Sequence, residues 1–255
     1  MSHTTAAFYA DPFASALKGG EGVGCSGLVL VVAWGWGSQD GGYQRLASEM
    51  ACLDSDATHV YDGAFTHCTV ATLSSFKNCR SVFFHASPAD QDRIIQAWHE
   101  SLVDALAQQA GDLHPFELVF RSLETSPAAT FLQADDRSKT LTALRSAVKK
   151  ASENPLLGDL SVELEDKYRG AHPDLCSLMD ALHVPDIVHS TVMRLASQPS
   201  DGGQRLAQGL AELGRRWDPV AVKVEEMTLV HEQLPYMHLR REGAVARRFN
   251  LVLPR

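Results

Sequence analysis

The chain has 255 residues, 45% of them hydrophobic and 21% charged, with a formal net charge of −8. This is the make-up of a soluble globular protein with enough length for a substantial core. The acidic balance excludes broad, sequence-independent binding to duplex DNA, which needs a basic face. No apolar stretch approaches the roughly 20 residues that cross a membrane.

Residues 1–26 are rich in Ala, Ser and Gly and predict a flexible N-terminal arm, leaving 27–255 as a single domain. Leu28 to Trp34 reads as a buried strand, broken by Gly35 and Gly37, and Tyr43 to Met50 as a short helix. Phe65 to Ala71 is a short apolar, β-branched run and predicts a strand. Ser87 is an expected N-cap with Pro88 at the first helical position. Ile94, Ile95, Trp98, Leu102 and Leu106 follow at helical spacing, and Gly111 ends the helix. Phe116 to Leu123 and Ala129 to Ala134 predict a hairpin across a Thr-Ser-Pro turn.

Ser138 to Ala151 predicts a further helix. The stretch 152–185 reads as irregular, punctuated by Pro155, Gly158, Gly170, Pro173 and Pro185. Ile187 to Met193 is a second β-branched run, and Gly203 to Trp217 a helix marked by Leu206, Leu210 and Leu213. Val220 to Val230 and Tyr236 to Arg240 predict a strand pair, and Val245 to Leu253 a last strand. Five cysteines, Cys25, Cys52, Cys68, Cys79 and Cys176, form no Cys-x-x-Cys pair. With no apolar leader at the N-terminus, the chain reads as cytoplasmic.

Each half therefore runs helix, His-x-Thr strand, helix, strand, strand. This is a duplication at the level of elements. It predicts an α+β fold, bilobal, with duplicated antiparallel sheets, flanking helices and a central groove between lobes contributed by about 27–135 and 136–255.

The two motifs are His67-Cys68-Thr69 and His189-Ser190-Thr191. Residues two apart in a strand share a face, about 6.5–7 Å apart along it. His67 and Thr69 thus point one way, as do His189 and Thr191, while Cys68 and Ser190 point the other. Two imidazoles and two hydroxyls meeting in one groove suit acid–base chemistry at a phosphate. Histidine's ordinary pKa of about 6.5 lets one ring act as base and another as acid near neutrality. The threonine hydroxyls can donate to non-bridging oxygens. Which histidine plays which part stays open. The scheme requires no metal, and the remaining histidines show no ligand spacing.

The paired motifs and the element order resemble the 2H phosphoesterase superfamily, which includes RNA 2′,3′-cyclic phosphodiesterases and the so-called 2′-5′ RNA ligases. The resemblance spans about residues 28–253, with Met227 to Glu232 and the following Tyr236 resembling the family's closing strand pair. It implies a metal-independent phosphoric diester hydrolase without a cofactor, with His67, Thr69, His189 and Thr191 as its catalytic residues. The implied substrate is a 2′,3′-cyclic phosphate or 2′-5′-type diester of a nucleotide or short RNA end. Tyr236 and His238, on one expected strand face, and Trp34 and Trp36, flanking a glycine, are candidate substrate-binding residues. A monomer with no membrane partner is expected. The alternative is a non-catalytic nucleotide-binding module that uses the same groove.

Overall fold

The computed structural model describes residues 8–18, 25–78, 80–109, 113–238 and 245–251. In chain order the elements are α1 (Pro12–Lys18), β1 (Gly27–Val32), α2 (Gly41–Leu53), β2 (Thr58–Val60), β3 (Cys68–Ser74), α3 (Val82–His85), α4 (Pro88–Gln108), β4 (Phe116–Thr125) and β5 (Ala129–Asp136). There follow α5 (Thr140–Ala151), α6 (Pro155–Arg169), β6 (His189–Leu195), α7 (Gln204–Arg216), β7 (Val220–Val224), β8 (Glu226–Glu232) and β9 (Val245–Asn250).

Two antiparallel sheets result, one in the order β3-β1-β8-β9 and one in the order β2-β6-β5-β4-β7. Each carries one His-x-Thr strand, so the α+β, duplicated-sheet expectation holds. The expected division near residue 135 does not match the pairing. β4 and β5 from the first half join β6 in one sheet, and β8 and β9 from the second half join β1 and β3 in the other. Each half thus lends strands to the sheet of the other half's motif.

The local grammar explains the elements. Every residue of β1 is buried, as a central strand covered on both faces requires. Ser87 caps α4 by accepting from the Asp90 amide, and Pro88 opens the helix. Its stripe of Ile94, Ile95, Trp98 and Leu102 is buried in the core that also takes Leu141, Leu144 and Val148 of α5. The Asp136 carboxylate accepts from the Leu141 amide at 2.9 Å and so satisfies an end of α5.

Five expectations about single elements are corrected. The stretch 152–185 contains α6, opened by the Asn154 side chain accepting from the Leu156 amide, with Pro155 inside the first turn. That is a helix start whose proline was read as a breaker. Val220 to Val230 is two strands in different sheets. Pro235–Met237 is a 3₁₀ turn, with Tyr236 and Met237 at φ 58° and 63°, so Tyr236 is not on a strand. The pairing partner of β8 at the closing edge is β9.

The fifth correction concerns the expected arm. Residues 8–18 are packed, with Phe8 in the main core and Ala14 fully buried. The Asp11 amide donates to Leu195 O at 2.7 Å. The rest of the expected arm, 1–7 and 19–24, lies outside the described residues, as do Gly111 and Arg240. Among the described residues no helix is long and apolar enough to cross a membrane.

Candidate functional site

The two motif strands share an irregularity that simple alternation does not foresee. Val31 pairs with Thr69 and Leu30 with Ala71, so Val70 is an extra residue in β3. Phe131 pairs with Thr191 and Thr130 with Met193, so Val192 is an extra residue in β6. A bulge of this kind reverses the parity of every later side chain. Along β3, Cys68, Val70 and Ala71 are buried while Thr69 and Thr72 are half-buried. Along β6, Ser190, Val192 and Met193 are buried while His189, Thr191 and Arg194 are half-buried. The predicted sidedness of both motifs therefore holds. In each strand a third polar residue joins the same face, Thr72 in one and Arg194 in the other. Arg194 was missed because strict alternation assigns it to the opposite face.

The imidazoles are held differently. His67 Nδ1 donates to the Phe65 carbonyl at 2.8 Å, which leaves its lone pair on Nε2. Burial pushes its pKa down to about 4, helped by the charges of His189 and Arg194. His189 is also lowered, by burial first and then by Arg145 and Arg194. Its Nδ1 is buried without a hydrogen-bond partner, and its ring packs edge-on against Phe131 at 5.2 Å. The two motif histidines are thus close enough to feel each other's charge, with Arg194 acting on both.

The loop before His67 is built on close backbone approach. The Gly35 amide donates to Thr66 O at 2.6 Å and the Gly37 amide to Thr66 Oγ1 at 2.9 Å. A Cβ on Gly63 would stand 2.3 Å from the Gly37 carbonyl carbon, so only glycine fits. Gly35 itself takes φ 75°. The Trp34-Gly35-Trp36-Gly37 segment therefore braces the first motif from behind. Trp36 is buried, stacks on Phe120 at 4.4 Å and donates from Nε1 to Ser190 Oγ at 3.3 Å. This corrects its expected role, because a ring enclosed in the core cannot stack on a substrate. Trp34 is half-buried and lines two clefts of about 380 and 370 Å³ shared with Lys223; neither motif histidine lines them.

Tyr236 is buried as well. Its hydroxyl donates to Asp11 Oδ2, and the Arg194 guanidinium lies 3.8 Å from its ring centroid. It positions Arg194 and offers no open face. His238 stands next to the motifs and is pushed down to about 4, by burial first and then by His59, with a smaller effect from His67. Its Nδ1 lies 3.1 Å from both the Pro235 and Tyr236 carbonyls, so it donates there, and its Nε2 accepts from His59 Nε2 at 2.8 Å. Its ring lies 4.6 Å from Tyr61 and 4.7 Å from Phe65. His59, Tyr61 and Phe65 escaped sequence reading because nothing in their local pattern links them to a turn some 170 residues away. Among the described residues, no group of three or more His, Cys, Asp or Glu side chains is arranged to hold a metal ion.

No protein-family model matches the sequence, and no curated protein matches it. Several solved structures are similar, among them the following three. TT0787 of Thermus thermophilus is 16% identical, with 88% of this chain and 97% of that chain covered and a TM-score of 0.45. Escherichia coli LigT complexed with phosphate is 14% identical, with 90% and 99% covered and a TM-score of 0.43. ATU0111 of Agrobacterium tumefaciens, a protein of unknown function, is 13% identical, with 96% and 92% covered and a TM-score of 0.48. Each of the two antiparallel sheets carries one His-x-Thr motif, and the two imidazoles are in electrostatic reach of each other.

Proposed function

We propose that the chain is a phosphodiesterase acting on the 2′,3′-cyclic phosphate or 2′-5′-type diester of a nucleotide or short RNA end. The observation that carries this reading is the matched pair of bulged strands, which aligns His67 and Thr69 on one and His189, Thr191 and Arg194 on the other. His67, neutral and with its lone pair on Nε2, is the base that takes a proton from the attacking water. The water oxygen bonds to phosphorus and the bond to the ribose oxygen breaks. His189 is the acid that protonates the leaving oxygen. A bound phosphate anion favours the imidazolium and so readies His189 for that role. Thr69 and Thr191 donate to the non-bridging oxygens, and the Arg194 charge stabilises the added negative charge.

The scheme uses no metal and no cofactor. The net charge of −8 favours short ligands over long RNA, and the enzyme is proposed to act as a cytoplasmic monomer. The test is hydrolysis of 2′,3′-cyclic nucleotides and 2′-5′-linked dinucleotides in EDTA. Wild type is expected to turn over, and His67→Ala and His189→Ala each to lose about 10²- to 10⁴-fold. Nucleotide binding without any turnover would replace the enzyme with the binding module.

A further inference from the structure

The carbonyl two residues before each motif histidine is used differently. Phe65 O takes the Nδ1 proton of His67 at 2.8 Å. The equivalent Ile187 O faces His189, where it favours the charged ring, and it also accepts from Arg145 Nη2 at 2.8 Å. The same nitrogen donates to Thr69 O at 3.3 Å. One guanidinium on α5 therefore ties the backbone of both motifs, across two sheets, at the level of the reacting side chains. Arg145 Nε is buried without a partner.

We propose that Arg145 is a positioning residue: by bonding the Thr69 and Ile187 carbonyls it fixes the separation of the two His-x-Thr strands. The two histidines are held unlike, His67 by its bond to the Phe65 carbonyl and His189 with the Arg145 charge beside it. This inference rests on the phosphodiesterase reading for its catalytic consequence, while its structural content stands apart from it. The charged and titratable groups facing Arg145 are Cys68, Asp136 and Asp186. Those facing His189 are Arg145 and Arg194, and His67 feels His189 in turn. Removing Arg145 takes away one of the two positive charges at His189. That change raises the His189 pKa.

The experiment is a ¹³C-histidine NMR titration of the full chain, with the His189 signal identified by its loss in His189→Gln, alongside steady-state kinetics. In Arg145→Met, His189 is expected to titrate higher by about half a unit or more while His67 stays in place. The kcat is expected to fall about tenfold or more with KM within about twofold, because positioning is lost and binding groups are kept. Arg145→Lys keeps the charge and loses the planar fork, so its His189 titration stays near wild type while kcat still falls. An unmoved His189 titration in folded Arg145→Met overturns the inference. If that variant does not fold, wild-type kcat in Arg145→Lys overturns it. If the wild type turns over no phosphodiester, the phosphodiesterase reading fails while the titration still decides the role of Arg145.

Discussion

The Asp11 carboxylate lies 3.4 Å from the Arg194 guanidinium, joining a residue near the start of the chain to the last polar position of the second motif strand. Oδ1 accepts from the Phe13 amide at 3.0 Å, at the start of α1, while Oδ2 also receives the Tyr236 hydroxyl and Lys77. Burial pushes this carboxyl up, but the Tyr236 hydroxyl, Lys77 and Arg194 outweigh it and hold it below the usual range. Removing one member of a buried pair leaves the other charge uncompensated. Asp11→Ala is therefore expected to cost about 3–5 kcal/mol in urea unfolding, and Asp11→Asn less. Turnover should fall in both, since Arg194 loses its anchor. Wild-type stability in Asp11→Ala would show that residues 8–18 are an appendage.

The pH dependence of turnover follows from the two motif histidines. The base must be neutral and the acid protonated, so kcat/KM reports the free enzyme's two values. With His67 at about 4 and His189 below its ordinary 6.5, the maximum is expected on the acid side of neutrality, between those values. Bound phosphate raises both, so the kcat profile should lie at higher pH than the kcat/KM profile. A flat profile from about pH 4 to 8 would remove both histidines from the mechanism.

Glu232 gives a stability prediction with the opposite sign to an ordinary surface acid. Burial pushes its carboxyl up to about 8, although the Met237 amide and the charges of Arg194 and Lys77 pull it down. Its Oε1 accepts from the Met237 amide at 3.1 Å and so holds the turn that carries Tyr236 and His238. The folded state keeps the proton while the unfolded chain releases it near its ordinary 4.5. Stability is thus full below about 4.5 and declines as pH rises toward 8. Glu232→Gln keeps an acceptor and cannot ionise. Its melting temperature relative to wild type should be higher at pH 8 than at pH 5, measured by calorimetry at both. An equal difference at the two values would place the ionised carboxylate in the folded state.

Gly63 tests the brace behind the first motif. A methyl group there meets backbone atoms of Gly37 and Ser38, which cannot rotate away. Gly63→Ala is expected to cost about 1–3 kcal/mol and to lower kcat, because Thr66 and His67 leave the same turn. Gly158→Ala, where a Cβ meets nothing within 4 Å on α6, should be neutral or slightly stabilising. Paired chemical denaturation of the two variants checks both.

The sequence by itself determined the elements whose signals are local. Periodicity marked α4, α5 and α7, the Ser87-Pro88 pair marked a helix start, and alternation put His67 with Thr69 and His189 with Thr191. These follow from the 3.6- and 2-residue periods that a few neighbouring side chains reveal. Local signals also misled where one residue serves two ends. Pro155 opens a helix as readily as it breaks one, and Tyr236 sits in a turn whose positive φ no neighbouring glycine announces.

Only the tertiary structure decided the rest. Strand exchange between the halves, the bulges at Val70 and Val192, and the meeting of Asp11, Tyr61, Arg194 and Tyr236 depend on which strand lies beside which. The same is true of Arg145, whose contacts are the carbonyls of residues 69 and 187. The physical reason is that backbone carbonyls and one-residue register shifts carry no side-chain signature, so they come into being only when the two sheets pair and pack.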